Sequence, residues 1–287
     1  MIDSRFSARL ASLLIAALPI FSVHAAEPAA MLTDLAGGEV RSGAQRLAIL
    51  SELGVSASLE LGSGARATLV HFGSARQFDL LGPGAFRVTG AGVEIVAGSG
   101  QVTARAPLAA AYDKVRLRPS RVIQASISMR GKGDLQPLKL VAPAGSWIVD
   151  ARPVFRWQKP AGASGYRFQL TDNTGGVLHQ AEVGQETARL PDSVELKVGQ
   201  TYAWQVNATL PDGREAEGWA EFGIIDAERR VRILAAQPGS GASFGDRVLF
   251  ALLLEDFGLR DAAHELWAEL VRERPSDPRL QTLGGAR

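Results

Sequence analysis

Large apolar side chains alternate with small or polar ones in short runs over most of this chain, and a helical period takes over only near its end. The clearest alternation lies in Phe155-Arg156-Trp157, Tyr166-Arg-Phe-Gln-Leu170 and Tyr202-Ala-Trp-Gln-Val206. A strand sends successive side chains to opposite faces, so a period of two loads one face of a sheet and wets the other. Turn chemistry separates these runs at Asn173-Thr-Gly-Gly176, Pro191-Asp192, Gly199 and Pro211-Asp-Gly213. Residues 143–228 therefore predict a sandwich of two packed sheets. Trp157 and Trp204 are expected to stack in its core, where each ring removes a large area from water.

Residues 37–105 predict a second kind of β unit. Short runs at Arg46–Leu50, Ala57–Leu61, Ala67–Phe72, Gln77–Leu81, Ala85–Thr89 and Gly92–Ala97 are separated by glycine turns such as Gly62-Ser-Gly64 and Gly82-Pro-Gly84. Glycine admits the positive φ of tight hairpins, so this punctuation marks an antiparallel meander or roll. These loops lead into no helix and contain neither phosphate-binding glycine pattern, which makes them turns rather than phosphate cradles. Residues 26–36 are small and mixed and read as a flexible N-terminus. Residues 106–142 form a basic connecting segment, partly strand at Lys114–Leu117 and Val122–Met129. Residues 229–242 read as a linker, and 276–287 as a tail.

Between those last two stretches the period changes. Ser243-Phe-Gly-Asp246 has the spacing of a helix cap. A helix over Arg247–Phe257, stopped by Gly258, and a second over Asp261–Arg274, ended by Pro275, make residues 243–275 a helical hairpin. The first of these helices, Val248 to Leu254, is apolar all round. A surface helix keeps one wet face, so this one needs cover on both sides. Its partner helix supplies one cover; the sandwich or another protein supplies the other. The fold class expected is thus mainly β: a glycine-punctuated antiparallel roll, a β-sandwich and a short C-terminal α-hairpin.

Specific stretches carry family likenesses. Leu61-Gly-Ser-Gly-Ala-Arg-Ala-Thr-Leu-Val-His-Phe-Gly-Ser74, followed by Leu80-Leu-Gly-Pro-Gly-Ala-Phe-Arg-Val88, resembles the FecR-like domain, a bacterial periplasmic β module. That resemblance covers about residues 37–105 and implies a location in the cell envelope. Leu196-x-x-Gly-x-Thr-Tyr-x-Trp-x-Val206 within residues 143–228 resembles fibronectin type III-like domains, which implies a recognition or spacer role. Gly258-Leu-x-x-Ala-Ala-x-x-Leu-Trp-x-x-Leu270 with Pro275 is similar to half of a tetratricopeptide repeat, a helical binding unit normally stacked in several copies.

The N-terminus changes the expected compartment. Arg5 and Arg9 flank an apolar run from Leu10 to Val23, and Val23-His24-Ala25 is a small-residue processing pattern. The run is shorter than the roughly 20 residues a spanning helix needs. It reads as a signal peptide over residues 1–25, cleaved near Ala25, and predicts a periplasmic or otherwise exported protein. Its removal takes Arg5, Arg9 and Asp3 from totals of 31 basic and 30 acidic residues, so the mature chain is balanced. Neither nucleic acid nor an anionic surface would attract the molecule as a whole. No apolar stretch downstream approaches spanning length. The 287 residues include no cysteine, so stability rests on packed apolar area rather than disulfides.

Candidate chemistry is sparse. His71, His179 and His264 stand apart from one another in sequence and form no zinc-binding spacing. Asp172-Asn173 lacks the rest of a calcium loop, and a polar turn accounts for it. No catalytic, cofactor or metal residues are expected. Basic residues concentrate at Arg116, Arg118, Arg121, Arg130 and Lys132, either as a site for an anionic polymer or as a charged edge strand guarded against aggregation. With Phe250 and Leu254 of the apolar helix, these are the candidate partner-binding residues. The chain is thus expected to be a non-catalytic envelope protein that binds or scaffolds an envelope protein or anionic polymer. Two alternatives stand beside this reading: binding or processing of envelope polysaccharide, and signalling from an uncleaved, tethered N-terminus.

Overall fold

The glycine-punctuated stretch folds into two facing sheets. A computed structural model describes residues 27–112 and 136–284. Its first ten strands are β1 (Ala30–Ala36), β2 (Val40–Ser42), β3 (Gln45–Arg46), β4 (Glu52–Leu53), β5 (Ser58–Leu61), β6 (Arg66–His71), β7 (Arg76–Leu81), β8 (Gly84–Val88), β9 (Val93–Gly98) and β10 (Gln101–Pro107). They form antiparallel sheets in the orders β10-β7-β6-β1-β4 and β3-β2-β5-β8-β9. Leu32, Leu69, Phe78 and Leu80 of the first sheet meet Leu59, Leu61, Phe86 and Val88 of the second in a buried core.

Two expectations fail here. The stretch expected as a flexible end, residues 26–36, is mostly strand from Ala30 on: Ala30, Met31 and Leu32 are fully buried, and β1 lies inside its sheet between β6 and β4. A strand covered on both faces shows no alternation, which is why its pattern looked featureless. Arg46–Leu50 is strand only at its start. The chain then turns with Leu50 at a positive φ of 64°, tucking Ile49 and Leu50 under the helices.

The sandwich is built from β11 (Gln136–Pro137), β12 (Leu140–Ala142), β13 (Ser146–Ile148), β14 (Val154–Trp157), β15 (Tyr166–Asp172), β16 (Val177–Val183), β17 (Thr187–Arg189), β18 (Thr201–Thr209) and β19 (Glu215–Ile224). One sheet has the order β11-β19-β18-β15-β16, with β13 also paired to β19; the other is β12-β14-β17. Alternation along β18 is complete, with Tyr202, Trp204, Val206 and Ala208 buried in turn. Phe155 sits at the centre, its ring 4.8 Å from Phe168, 5.2 Å from Trp204 and 5.6 Å from Phe222. Trp157 and Trp204 do share this core, but they meet tilted at 49°; the near-parallel partner of Trp157 is Phe168, at 14°. Offset and edge contacts suit the charge distribution of aromatic faces better than a flat sandwich.

Four helices close the chain: α1 (Ala227–Ala236), α2 (Phe244–Asp256), α3 (Arg260–Glu273) and α4 (Pro278–Gly284). The expected linker is therefore largely helix, and so is much of the expected tail. Asp226 caps α1 by accepting the Arg229 N–H at 2.8 Å, but only Ile233 of α1 is buried, so its apolar period is faint. At α2 the capping box is complete, Ser243 and Asp246 each satisfying the other's backbone N–H. Gly258 ends the turn into α3 with φ +76°, a conformation that favours glycine. No described helix is long and apolar enough to cross a membrane.

The cover for α2 comes from the first β unit. Met31, Ile49, Leu50 and Val70 pack with Val248, Leu249, Leu252 and Leu253 of α2 and Trp267 and Leu270 of α3 in a third core. Polar ties hold this docking. Arg105 binds Asp79 at 2.6 Å and Asp246 at 3.3 Å, and Gln77 donates to Asp246 at 2.7 Å. Arg274 pairs with Asp34 and lies 3.7 Å from the Phe244 ring centroid. Burial alone would raise the Asp246 pKa, but hydrogen bonds from Ser243 and Gln77 and the Arg105 charge outweigh it and hold it below its ordinary value.

Candidate binding cleft between sandwich and helices

Where β13 meets the α2–α3 turn, backbone and side-chain hydrogen bonds fix a junction. Trp147 donates its N–H to the Gly258 carbonyl at 2.9 Å, and Gly145 donates to the Glu221 carbonyl at 2.7 Å. Asp261 accepts the Ala144 N–H at 3.1 Å, and its own N–H donates to Ser146 Oγ at 3.1 Å. Arg260 donates from Nη1 to the Gly145 carbonyl at 2.9 Å. These bonds seat the Trp147 ring across two glycines. A Cβ on Gly223 would meet the indole at 2.4 Å, and one on Gly258 would meet it at 2.9 Å. No larger residue fits beneath that ring.

An open cleft of about 640 Å³ lies over this junction, within the range of roughly 300–1,000 Å³ usual for ligand sites. Arg229 and Arg232 enter it from α1, Arg260 from the start of α3, Glu221 from β19, and Asp256 from the end of α2. The Arg229 guanidinium stands 5.9 Å from the Trp147 ring, and that of Arg232 stands 4.9 Å from the Phe257 ring. Aromatic faces attract such cations, so the rings brace the arginines above the cleft floor. The cleft can offer guanidinium donors, carboxylate acceptors and a half-buried indole to one small polar ligand.

Arg116, Arg118, Arg121, Arg130 and Lys132 fall outside the described residues. Leu254 is only 4% exposed, and Phe250 is half-buried against the helical core. The proposed helix face for a partner is thus closed by the chain's own sheet and helices, because sheet β10-β7-β6-β1-β4 has a second apolar face to bury. Trp147, Arg229, Arg232 and Arg260 gave no spacing signal, since they come from separate segments. The one local clue was Trp147, an aromatic beside Gly145-Ser146 and outside the alternating strands.

His71, His179 and His264 do not converge. His71 is buried; Nε2 donates to the Thr89 carbonyl at 2.9 Å, and Nδ1 accepts the Ser74 N–H at 3.1 Å, which makes it a clamp between β-turns. Among the described residues no cluster of three or more His, Asp or Glu could hold a metal ion. Asp172 caps its own turn, accepting from the Thr174 hydroxyl at 2.7 Å and the Gly176 N–H at 2.8 Å, and the Thr174 hydroxyl and those backbone N–H groups lower its pKa.

No protein-family model and no curated protein matches the chain. Among solved structures it is similar to CopC from Methylosinus trichosporium OB3b, at 26% identity over 31% of this chain and 95% of that one, with a TM-score of 0.25. A pectate lyase from Pectobacterium carotovorum matches at 11% identity over 31% of this chain and 26% of its own, TM-score 0.22. The glycoside hydrolase domain of Endo-D from Streptococcus pneumoniae R6 matches at 10% identity over 66% and 36%, TM-score 0.23. Superposition this poor carries no argument about function.

Proposed function

We propose that this is a non-catalytic, exported protein of the bacterial envelope that binds another envelope component. The export signal read at residues 1–25 and the FecR-like pattern of residues 37–105 support the compartment. The observation that carries the binding role is the cleft over Trp147. Its floor is fixed by backbone and side-chain hydrogen bonds from sandwich and helices together, while its charged walls stay open to solvent. Rigid floors with exposed polar groups limit the ordering cost of binding.

The test is site-specific photo-crosslinking in cells of a source bacterium, with the reactive residue at Thr201 on the cleft rim. The expected result is a discrete adduct in the envelope fraction, absent when the same probe stands at Glu182 on the far edge strand β16. Equal labelling from both positions, or a mature protein retained in the cytoplasm, would overturn the proposal.

A further inference from the structure

We infer that the cleft over Trp147 is a site for a sugar bearing a carboxylate, such as a uronic acid within an acidic glycan. This inference rests on the binding role proposed above and names the ligand class of the same site.

Three features of the lining select that chemistry together. Arg229, Arg232 and Arg260 bring three guanidinium groups to one cavity. A planar guanidinium fork matches a carboxylate in two parallel bonds. Arg229 pairs through Nε with Asp226 at 3.5 Å and Arg260 donates from Nη1 to Gly145, so each keeps further N–H donors for a ligand.

The second feature is Glu221 and Asp256 in the same lining. Ionised carboxylates accept hydrogen bonds and donate none. They disfavour a polyphosphate, whose charges crowd on adjacent groups and would meet them together, yet they suit neighbouring hydroxyl donors, and an acidic glycan carries only one carboxylate per ring. A ligand that presents one carboxylate to the arginines and hydroxyls to the acids satisfies both sets at once. Sugar acids have that layout on a single ring.

The third feature is the half-buried indole of Trp147, held against Gly223 and Gly258. Buried aromatics of the sandwich core, such as Trp204 at 1% exposure, cannot meet a ligand; Trp147 can, and an indole presents a flat apolar surface beside a polar N–H. A sugar ring has C–H patches to lay on such a surface and hydroxyls around its rim.

Isothermal titration of the full mature chain decides the matter, with trigalacturonate as probe. Maltotriose and inorganic phosphate serve as neutral and simple-anion comparisons. The expected result is saturable trigalacturonate binding that weakens with salt, with no response to either comparison ligand. Arg232→Gln should weaken it by about tenfold or more, the usual scale for a lost charge-assisted pair, and Arg232→Lys should restore part of the loss. Trp147→Phe, which keeps a ring over the two glycines, should weaken binding less. Circular dichroism checks each variant's fold. Should Arg232→Gln unfold the chain, Thr201→Arg, on the exposed rim, replaces it and should shift trigalacturonate affinity.

Maltotriose binding as tight as trigalacturonate, phosphate displacing it at equal concentration, or no saccharide binding at all would overturn the inference. A crosslinked envelope protein at Thr201 without saccharide binding overturns the sugar and leaves the binding role standing. Absence of both overturns the two together.

Discussion

The sandwich core and the helical core are both built of buried apolar side chains, but they are assembled from different distances along the chain. The sandwich gathers Phe155, Trp157, Tyr166, Phe168, Trp204 and Phe222 from adjacent strands of one continuous stretch. The helical core joins Met31 and Val70 of the first β unit to α2 and α3, across most of the chain length. One sheet of the first β unit consequently has two dry faces: Ala67 and Leu69 of β6 face the inter-sheet core, and Val70 faces the helices. The lesson is that a self-contained core can be one cooperative piece of its own, whereas a shared core ties its contributors into a single one.

The largest test of that contrast is Phe155→Ala. Phe155 is fully buried and touches three other rings, so truncation should cost about 3–5 kcal/mol. Hydrogen exchange should accelerate in β14, β15 and β18 while β6 and β7 stay protected. Equal loss of protection in β6 would show that the two regions unfold as one.

Leu252→Ala removes a side chain 1% exposed from the shared core, at an expected cost of about 2–5 kcal/mol. Here the first β unit and the helices should loosen together: exchange should speed up in β1 and α3 alike, with the central sandwich strands β14, β15 and β18 unchanged. Protection retained in β1 would mean that the helices merely rest on the sheet.

Asp246→Asn probes the polar seam beside that core. Its carboxylate accepts from Gln77 and Arg105 as well as from its own helix cap, and losing the charge should cost about 1–2 kcal/mol. The sign of the pH effect follows from the direction of the shift. A folded pKa below the unfolded one gives stability that is present above the ordinary carboxylate range and lost as pH falls through the folded value. Urea titrations between neutral pH and pH 3 should show a shallower acid-side loss in the variant than in the natural chain.

The smallest effect belongs to Val231→Lys. Val231 is 67% exposed on the solvent side of α1, away from both cores, and the change should stay within about 0.5 kcal/mol. A larger drop in melting temperature would mean that this face of α1 is covered by something.

Legibility followed that same division. In the first β unit, β5 to β9 fall within a residue of their expected ends at each side, because glycine turns and half-covered strands leave local marks. The capping box at Ser243 and the glycine stop at Gly258 were equally plain. By contrast β1 looked like a loose end, since burial on both faces erases alternation. α1 passed as a linker because only Ile233 of its ten residues is buried. The cleft was hardly visible at all: Trp147, Glu221, Arg232 and Arg260 share no motif.

The chain by itself determined the mainly β class, the aromatic ladder of the sandwich and the existence of a fully apolar helix that had to be covered. Each of these follows from neighbours a few residues apart, through side-chain period, turn geometry or capping. Tertiary structure alone decided which surface covers that helix, which strand lies inside the first sheet, and which arginines stand around Trp147. Those outcomes depend on segments far apart in the chain meeting to bury their second apolar faces, and no local pattern encodes which partner each will find.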